Sequence, residues 1–519
     1  MAEHCLRERT RAPNVGRCGR VALATLLAAG CALPEATKNQ AASASSASGA
    51  GGSGGAGGAA GGSGGTQLCA GELDWLKVVG DVGEQRLTAF AVHPDGLAAA
   101  GVYTGGATDF GNGPLPTSTA PYDNLFVTTF DQAASPIQSR AIDANGTTLN
   151  AFGIAVSGGT PPDLVLVGEH DAGFEVDRTV GLGGTEGQVD AYALRFDGLE
   201  LAPDTVSSYV GRFAEHFQRT VFDGSGRLLV SGWIDDSITL PSGALTATGG
   251  DANFVARLDE PAWSLALDTN SGRDRITDIA VADGDGVVIA GTYYKDLDVG
   301  AEQLPLSSLA NAFVARLDEA GSVLWAQGYG GEALDTATVS AVEVSPDGAI
   351  AVVGWFTGRL ELGAAAGETL DSNGNTDIFV AVFESHGALR WAKSFGGPQY
   401  EDAHDVVFDG CGAIVVVGAF TGEVDFDGDV RTSVANDSPV LIALDALGGT
   451  RRWVRVLGVP GFVSACPASH VDASPCYVLG RTTDAVYLAG SFRGALGFDG
   501  SDVRPASDLD IFMAKITAH

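Results

Sequence analysis

One arrangement of apolar and polar positions returns along the chain from Trp75 to the C-terminus. Each copy opens with an apolar run that contains Trp, and Trp263 and Trp325 are 62 residues apart. Two further β-rich runs follow, the second closed by Gly and an aromatic residue as in Ile350–Gly358, and the copy ends with a run such as Asp377–Phe383. Short runs of β-branched and aromatic residues between turn residues are typical of strands. The pattern predicts four short strands in each copy.

The last run of the repeat allows the copies to be counted. It occurs seven times, at residues 124–127, 190–193, 253–259, 311–318, 377–383, 439–445 and 510–515. Two copies have lost the Trp, and their corresponding strands are expected near Ile137 and Tyr209. A single blade leaves apolar faces exposed, and stacking blades around a ring buries them. We therefore predict an all-β, seven-bladed β-propeller of four-stranded antiparallel blades.

The two ends of the repeat region predict how the ring closes. The first copy starts with the strand around Trp75, and the last ends after the strand that contains Phe512. If the Trp strand is the outermost in a blade, the N-terminal strand pairs with residues 511–516. This pairing removes two exposed sheet edges that would otherwise invite aggregation.

The repeat resembles that of the bacterial β-propeller repeat proteins. Their repeat runs W-x-K-x-x-G-G, D-x-x-G-N, G-x-F and D-x-F-V-A-K-L-D, and the resemblance covers roughly residues 70–519. The resemblance implies a seven-bladed propeller of a lipoprotein family. It implies no catalytic residue, because the family is known mostly by its repeats.

The N-terminus has the features of an export signal. Arginines precede a short apolar stretch, Val21–Gly30, that cannot span a bilayer as a helix. The run Leu27-Ala28-Ala29-Gly30-Cys31 resembles a bacterial lipobox, with Ala28 where Leu is usual. We predict that residues 1–30 are a lipoprotein signal peptide and that Cys31 is lipidated. Ordinary signal cleavage is the alternative.

The segment after Cys31 has the composition of a linker. Residues 41–65 contain only Ala, Gly and Ser and cannot form a core. We predict a lipid anchor and flexible tether over residues 31–66, with a reach of about 30–35 Å. The propeller then occupies residues 67–519.

The charge limits the partners. The chain has 64 acidic and 30 basic side chains, a net charge of −34. Such a surface repels nucleic acid and anionic lipid. We expect no nucleic-acid partner, membrane contact only through the lipid anchor, and a monomer kept soluble outside the cell by its charge.

The cysteines predict disulfides rather than a metal site. Of seven cysteines, two lie in the signal and one is the anchor, which leaves an even number in an oxidising compartment. No C-x-x-C pair and no nearby His pair suggests zinc. We expect Cys466 and Cys476 to form a disulfide that closes a local loop. A second disulfide between Cys69 and Cys411 then follows by elimination.

Acidic residues recur where the chain leaves a Trp strand and enters the next blade. A ring of carboxylates at the channel mouth would bind a cation or a basic partner. The alternative is that each carboxylate accepts backbone N–H groups and locks adjacent blades. The ring comprises Glu84, Asp274, Asp335, Glu401 and Asp402.

Other candidate sites are weaker. The run Asp425–Asp429 alternates carboxylates but lacks the length and terminal Glu of a calcium loop, so calcium remains only an alternative. Trp233 and Trp355 follow a β-run and are the aromatic residues best placed to reach a rim. We predict no catalytic residue, no metal site and no cofactor.

The sequence favours a binding or adhesion scaffold on the outer membrane or cell surface, with a protein or glycan partner on one propeller face. A periplasmic envelope-assembly scaffold, and a periplasmic or secreted location, are the alternatives; protease accessibility on intact cells separates them. A polysaccharide lyase or hydrolase with its site at the channel mouth is the third hypothesis. A glycan panel with a Glu401/Asp402 double alanine variant tests it.

Overall fold

The computed structural model describes residues 71–517 with internal gaps. The gaps are residues 81–82, 105–107, 118–123, 144–148, 172, 177–179, 182–188, 270–272, 364–367, 465–475 and 507. The predicted signal, lipid anchor and tether lie outside the described residues, as do Cys69 and Cys466. The lipidation of Cys31 and both disulfide pairs therefore stay predictions.

The propeller forms within the compact unit Thr66–His519 and has seven antiparallel blades. The strands of each blade are given in order from the first to the fourth. Blade 1 comprises Gln85–His93, Gly96–Tyr103, Asn124–Phe130 and Pro136–Ile142, and blade 2 comprises Leu149–Val156, Asp163–His170, Asp190–Asp197 and Ala202–Tyr209. Blade 3 comprises Glu215–Phe222, Leu228–Leu240, Gly243–Arg257 and Trp263–Thr269, and blade 4 comprises Arg275–Val281, Val287–Tyr293, Asn311–Leu317 and Val323–Tyr329. Blade 5 comprises Thr336–Val344, Ile350–Thr357, Asp377–Phe383 and Leu389–Phe395, and blade 6 comprises Glu401–Phe408, Ala413–Phe420, Ser438–Asp445 and Arg451–Val456. Blade 7 comprises Tyr477–Arg481, Ala485–Arg493, Asp510–Thr517 and Glu72–Val79. The predicted fold class and blade number are confirmed.

Short elements complete the blades. Val463–Ser464 adds a fifth, short strand to blade 7. In several blades a two-stranded hairpin lies in the connection between the second and third strands, as Leu297–Val299 with Glu302–Leu304 does in blade 4. Helix is limited to one 3-10 turn, Asp283–Asp285, in the described part of the chain. No helix there is long and apolar enough to cross a bilayer.

The ring closes as predicted, by pairing of the N-terminal strand with the C-terminal blade. Glu72–Val79 lies antiparallel to Asp510–Thr517, with Trp75 opposite Lys515 and Val78 opposite Phe512. Leu76 is buried in the layer between blades 6 and 7. The fourth strand of the last blade therefore comes from the opposite end of the repeat region.

The core consists of apolar layers between neighbouring blades. The second and third strands are buried along most of their length, and every residue of Asp377–Phe383 is buried. One layer joins Val353 and Val380 of blade 5 to Val416 and Ile442 of blade 6. Strands covered on both sides in this way read as continuous apolar runs, which explains why these two runs dominate the repeat.

The repeated Trp fastens each blade to the next at the outer rim. The indole N–H groups of Trp263, Trp325 and Trp391 each donate a 3.0 Å hydrogen bond to a turn carbonyl of the following blade. A left-handed Gly in that turn lies against the ring, as Gly321 does against Trp263. The Trp therefore serves adhesion between blades.

This contact predicts the effect of Gly321→Ala. Gly321 has φ +79°, and an added Cβ would lie 2.4 Å from the Trp263 ring. We expect a loss of about 3 kcal/mol in the free energy of unfolding, from strain and from the displaced ring. The matched control is Gly412→Ala, where φ is +71° and no atom lies within 4 Å of the added Cβ. The control should lose only about 1 kcal/mol in urea denaturation. Equal losses in the two variants would contradict the contact.

Candidate functional site: the central channel and its mouth

The seven first strands surround a central channel of about 210 Å³. Six of them carry one extra residue at the same place, a β-bulge, in register against the second strand. A bulge bends its strand and re-aims the side chains beside it. The residues that follow the bulges line the channel: Ala89, Gly153, Arg219, Asp278, Ala341 and Asp405.

The channel wall is apolar on one side and charged on the other. Blades 1, 2 and 7 contribute small or apolar side chains, such as Phe90, Ile154 and Leu479. Blades 3 to 6 contribute the charged ones. Arg219 Nε lies 3.7 Å from Asp278 Oδ1 across the joint between blades 3 and 4.

Two channel carboxylates also tie neighbouring blades through backbone N–H groups. Asp278 accepts a 2.9 Å hydrogen bond from the N–H of Val342 in the next blade. Asp405 accepts one of 2.7 Å from the N–H of Leu479, again in the next blade. These bonds give the channel carboxylates a structural role in holding the ring.

Enclosure changes the ionisation of these groups. Burial, together with the nearby charge of Asp278, raises the pKa of Asp405 to about 8. Burial also raises the pKa of Glu343 to about 7, although Arg481 Nε, 3.3 Å from Glu343 Oε1, opposes this. Burial raises the pKa of Asp278 as well. These carboxyl groups of the channel therefore keep protons near neutral pH.

The sequence did not predict this charged wall. The residue that follows the bulge is Ala or Gly in three blades and charged in three others, so no residue type recurs at this position of the repeat. The only local signal is a single charge inside an apolar first strand, as in Ile276-Thr277-Asp278-Ile279.

The predicted acidic ring lies outside the channel lining. Asp274 Oδ1 accepts the Tyr294 N–H at 2.7 Å, and Asp335 Oδ2 accepts the Glu332 N–H at 2.8 Å. Glu401 is fully buried and its Oε2 accepts the Gly397 N–H at 2.8 Å. These three carboxylates hold loops that lead into or follow the blades.

The other two members of the ring have side-chain partners. Glu84 is exposed and forms an ion pair with Arg493 of blade 7. Asp402 Oδ2 lies 3.7 Å from His404 Nε2 in the same strand. The five carboxylates are thus distributed over separate local contacts.

Trp233 lies between two polar side chains, one from the first strand of blade 3 and one from the first strand of blade 4. Its ring stacks on His216 with centroids 3.7 Å apart, and the Arg275 guanidinium lies 5.1 Å from its centroid. His216 Nδ1 in turn contacts the Glu169 carboxylate. Trp355 holds the equivalent position in blade 5 and is half-buried. The stacked neighbours leave little of the Trp233 ring available to a sugar.

The carboxylates of the run Asp425–Asp429 have partners within the protein. The run forms the turn of a hairpin, with Asp427 and Gly428 at φ +55° and +82°. Asp427 pairs with Lys393, and Asp429 Oδ1 lies 2.8 Å from Arg431 Nε. Among the described residues, no group of three or more His, Cys, Asp or Glu side chains is arranged to hold a metal ion.

Large apolar side chains are exposed on the face where the first strands begin. Leu334 is 84% exposed and Tyr400 60%, each in a loop that enters a first strand. Phe213, 46% exposed, has the same position before blade 3. Leu309 is 57% exposed, and its N–H bonds to the Asp335 carbonyl beside Leu334. In an antiparallel blade the first and third strands start at the same end. All four side chains therefore lie on one face, which we term the mouth face.

Comparisons with known proteins give only short or distant matches. No family model matches the chain. A curated relative, the regulatory protein FlaEY of Caulobacter vibrioides, is 28% identical over 129 residues, which are 25% of this chain and 13% of that protein. This chain thus matches only a small part of that relative's length.

Solved propellers align along most of the chain at low identity. The Dos1 propeller is 10% identical and aligns over 83% of this chain and 93% of its own, with a TM-score of 0.39. BamB from Moraxella catarrhalis is 10% identical over 79% and 97%, at 0.35. YCF48 bound to D1 peptide is 9% identical over 87% and 98%, also at 0.35. The protein's class, a seven-bladed β-propeller, rests on the strand topology above.

Proposed function

We propose that this propeller is an interaction module that binds a protein partner through its mouth face. The observation that carries the proposal is the exposure of Phe213, Leu334 and Tyr400 in the loops between blades. Apolar side chains that share one exposed face offer area that a protein partner can bury. Loops on a rigid scaffold are also where binding residues concentrate.

The partner that best fits this face is a protein segment with basic and apolar side chains. The chain has a net charge of −34, so electrostatic attraction favours a cationic partner and accelerates its association. The apolar side chains of the mouth face then provide the area that a partner can desolvate. A protein fits better than a glycan, because the Trp233 ring is already stacked on His216.

The polysaccharide-acting alternative has less support. Its candidate residues were Glu401 and Asp402, and the Glu401 side chain is fully buried and accepts the N–H of Gly397. A general acid or nucleophile must reach the bond that it cleaves. We therefore place the interaction module first.

The proposed address is the cell envelope, with Cys31 as the lipid anchor and residues 31–66 as the tether. Two or more acyl chains hold a protein stably on a membrane, and a flexible linker lets the domain stand clear of it. Protease treatment of intact cells tests the outward orientation. Full protection of the propeller would favour the periplasmic alternative.

The mouth face is testable without knowledge of the natural partner. A random peptide library displayed on phage, selected on the propeller, should return basic sequences with apolar anchors. We expect Leu334→Ser with Tyr400→Ser to weaken their binding about tenfold or more, because central apolar contacts dominate such interfaces. Biolayer interferometry with the selected peptides measures this.

The chain offers a matched control on the opposite face. Leu447 is 75% exposed in the turn between the third and fourth strands of blade 6. Leu447→Ser removes the same kind of side chain there and should leave peptide binding unchanged. Selected peptides that lose binding in the control, or bind the double variant normally, would rule out the mouth face.

A further inference from the structure

At four blade joints within the described residues, a backbone hydrogen bond brings the start of a third strand against the start of the next blade's first strand. The backbone N–H of Glu215 donates to the Val189 carbonyl at 2.9 Å, and that of Glu401 to the Thr376 carbonyl at 3.0 Å. The first residue of the third strand follows each of these carbonyls: Asp190 in blade 2 and Asp377 in blade 5. At these two joints both side chains are acids.

The two acid pairs are enclosed. Glu215 and Glu401 are 0% exposed, and Asp190 and Asp377 are 1% and 2% exposed. Other joints lack this pair of acids. At the joint between blades 4 and 5, the two equivalent positions hold Asn311 and Ala337. Two neighbouring buried carboxyl groups disfavour each other's ionisation, so we expect each pair to retain a proton.

The basic side chains that flank Glu215 along the chain pair with other acids. Near Glu215, Arg212 is paired with Asp236 at 4.0 Å and His216 is paired with Glu169. No ion pair joins Glu215, Asp377 or Glu401 to a cation within the described ranges.

The ionisation follows from this burial. Burial raises the pKa of Glu215 to about 8, and Asp190 adds to the shift through its charge and a shared hydrogen bond. Burial, together with the charges of Asp377 and Asp402, raises the pKa of Glu401 to about 7. Both glutamates therefore exchange their proton in the range from neutral to mildly alkaline pH.

The same glutamates hold the loops that carry the exposed aromatic residues. Glu215 Oε1 accepts the N–H of Phe213 at 3.3 Å. Glu401 Oε2 accepts the N–H of Gly397, and Tyr400 directly precedes Glu401. Repulsion within an acid pair therefore acts directly on the loops 211–214 and 397–400.

We propose that the acid pairs Asp190–Glu215 and Asp377–Glu401 make the mouth face pH-responsive, holding these two loops in place while each pair retains a proton and releasing them when the proton is lost. Partner binding through Phe213 and Tyr400 then weakens at alkaline pH. This regulation rests on the proposed function, whereas the loop movement is a property of the propeller alone.

Hydrogen exchange of the whole protein tests the loop movement directly. After correction for the intrinsic exchange rate, we expect protection of the amides in 211–214 and 397–400 to fall about tenfold between about pH 6 and pH 9. Glu215→Gln should abolish the fall in loop 211–214 only, and Glu401→Gln in loop 397–400 only, because Gln keeps the acceptor and needs no proton. Glu84→Gln, at an exposed joint position, should behave as the wild type.

The outcomes separate this inference from the proposed function. Constant protection in the wild type, or the same fall in the Gln variants, overturns the pH response. Phage-selected peptides that bind the mouth face equally at both pH values while the loops respond overturn the regulation and leave the binding function intact. Absence of any mouth-face peptide overturns the proposed function and the regulation of binding together.

Discussion

Substitution of Leu76 by Asp is expected to open the ring and unfold the propeller. Leu76 lies in the N-terminal strand that completes blade 7, and it is buried between that blade and blade 6. A buried carboxylate without a partner, added to the lost apolar contact, costs about 4 kcal/mol or more. An opened ring also exposes the edge of Asp510–Thr517. Urea denaturation followed by tryptophan fluorescence measures the loss.

A control in the same strand isolates closure from local change. Glu72 is exposed and its side chain faces solvent, so Glu72→Ala should change the free energy of unfolding by no more than about 0.5 kcal/mol. If Leu76→Asp unfolds at the same urea concentration as the wild type, closure by this strand does not hold the ring together.

The stability of the propeller is expected to fall as pH rises from about 5 to 9. In the unfolded chain a Glu loses its proton near pH 4.5, whereas the folded state keeps the proton of Glu215 until about pH 8. The folded state therefore binds more protons throughout this window, and unfolding becomes easier as they are lost. Glu215 alone accounts for about 5 kcal/mol at most. Asp405, Glu343 and Glu401 act in the same direction.

Groups with lowered pKa do not cancel this trend. Arg452 hydrogen-bonds to Asp445 and lowers the pKa of its carboxyl, so its contribution disappears only in acid, below about pH 4. Thermal denaturation across the pH range measures the trend.

The isosteric variant Glu215→Gln provides the matched test of the pH trend. It should be less sensitive to pH than the wild type and more stable above about pH 8, because no charge is buried at the joint. Glu84→Gln, where the carboxylate is exposed, should follow the wild type. A wild type whose stability stays constant between about pH 6 and pH 9 would show that these carboxyls ionise normally.

Much of the fold could be predicted from the sequence, because each repeat carries the local pattern of the same four strands. Apolar runs bounded by turn residues predicted four strands, and their recurrence predicted seven blades. The strands of the two copies without Trp lie where expected, with Ile137 in Pro136–Ile142 and Tyr209 in Ala202–Tyr209. Closure was also predictable, because the repeat begins with its fourth strand.

The candidate site was much less predictable, because its residues vary from blade to blade. Asp278 and Asp405 occupy equivalent positions, yet Ala341 stands between them in the ring. Glu401 follows a loop at a position that suggested a channel mouth, and the structure buries it completely. Burial at that position depends on the third strand of the preceding blade, which a local pattern does not report.

The sequence by itself determined the strands, the number of blades and the closure of the ring, since these depend on local preference and on a period repeated along the chain. Only the tertiary structure decided which acids face each other and which apolar residues share the mouth face. Asp190 and Glu215 are separated along the chain by the third and fourth strands of blade 2, and they are buried together because two blades exclude water from the joint between them.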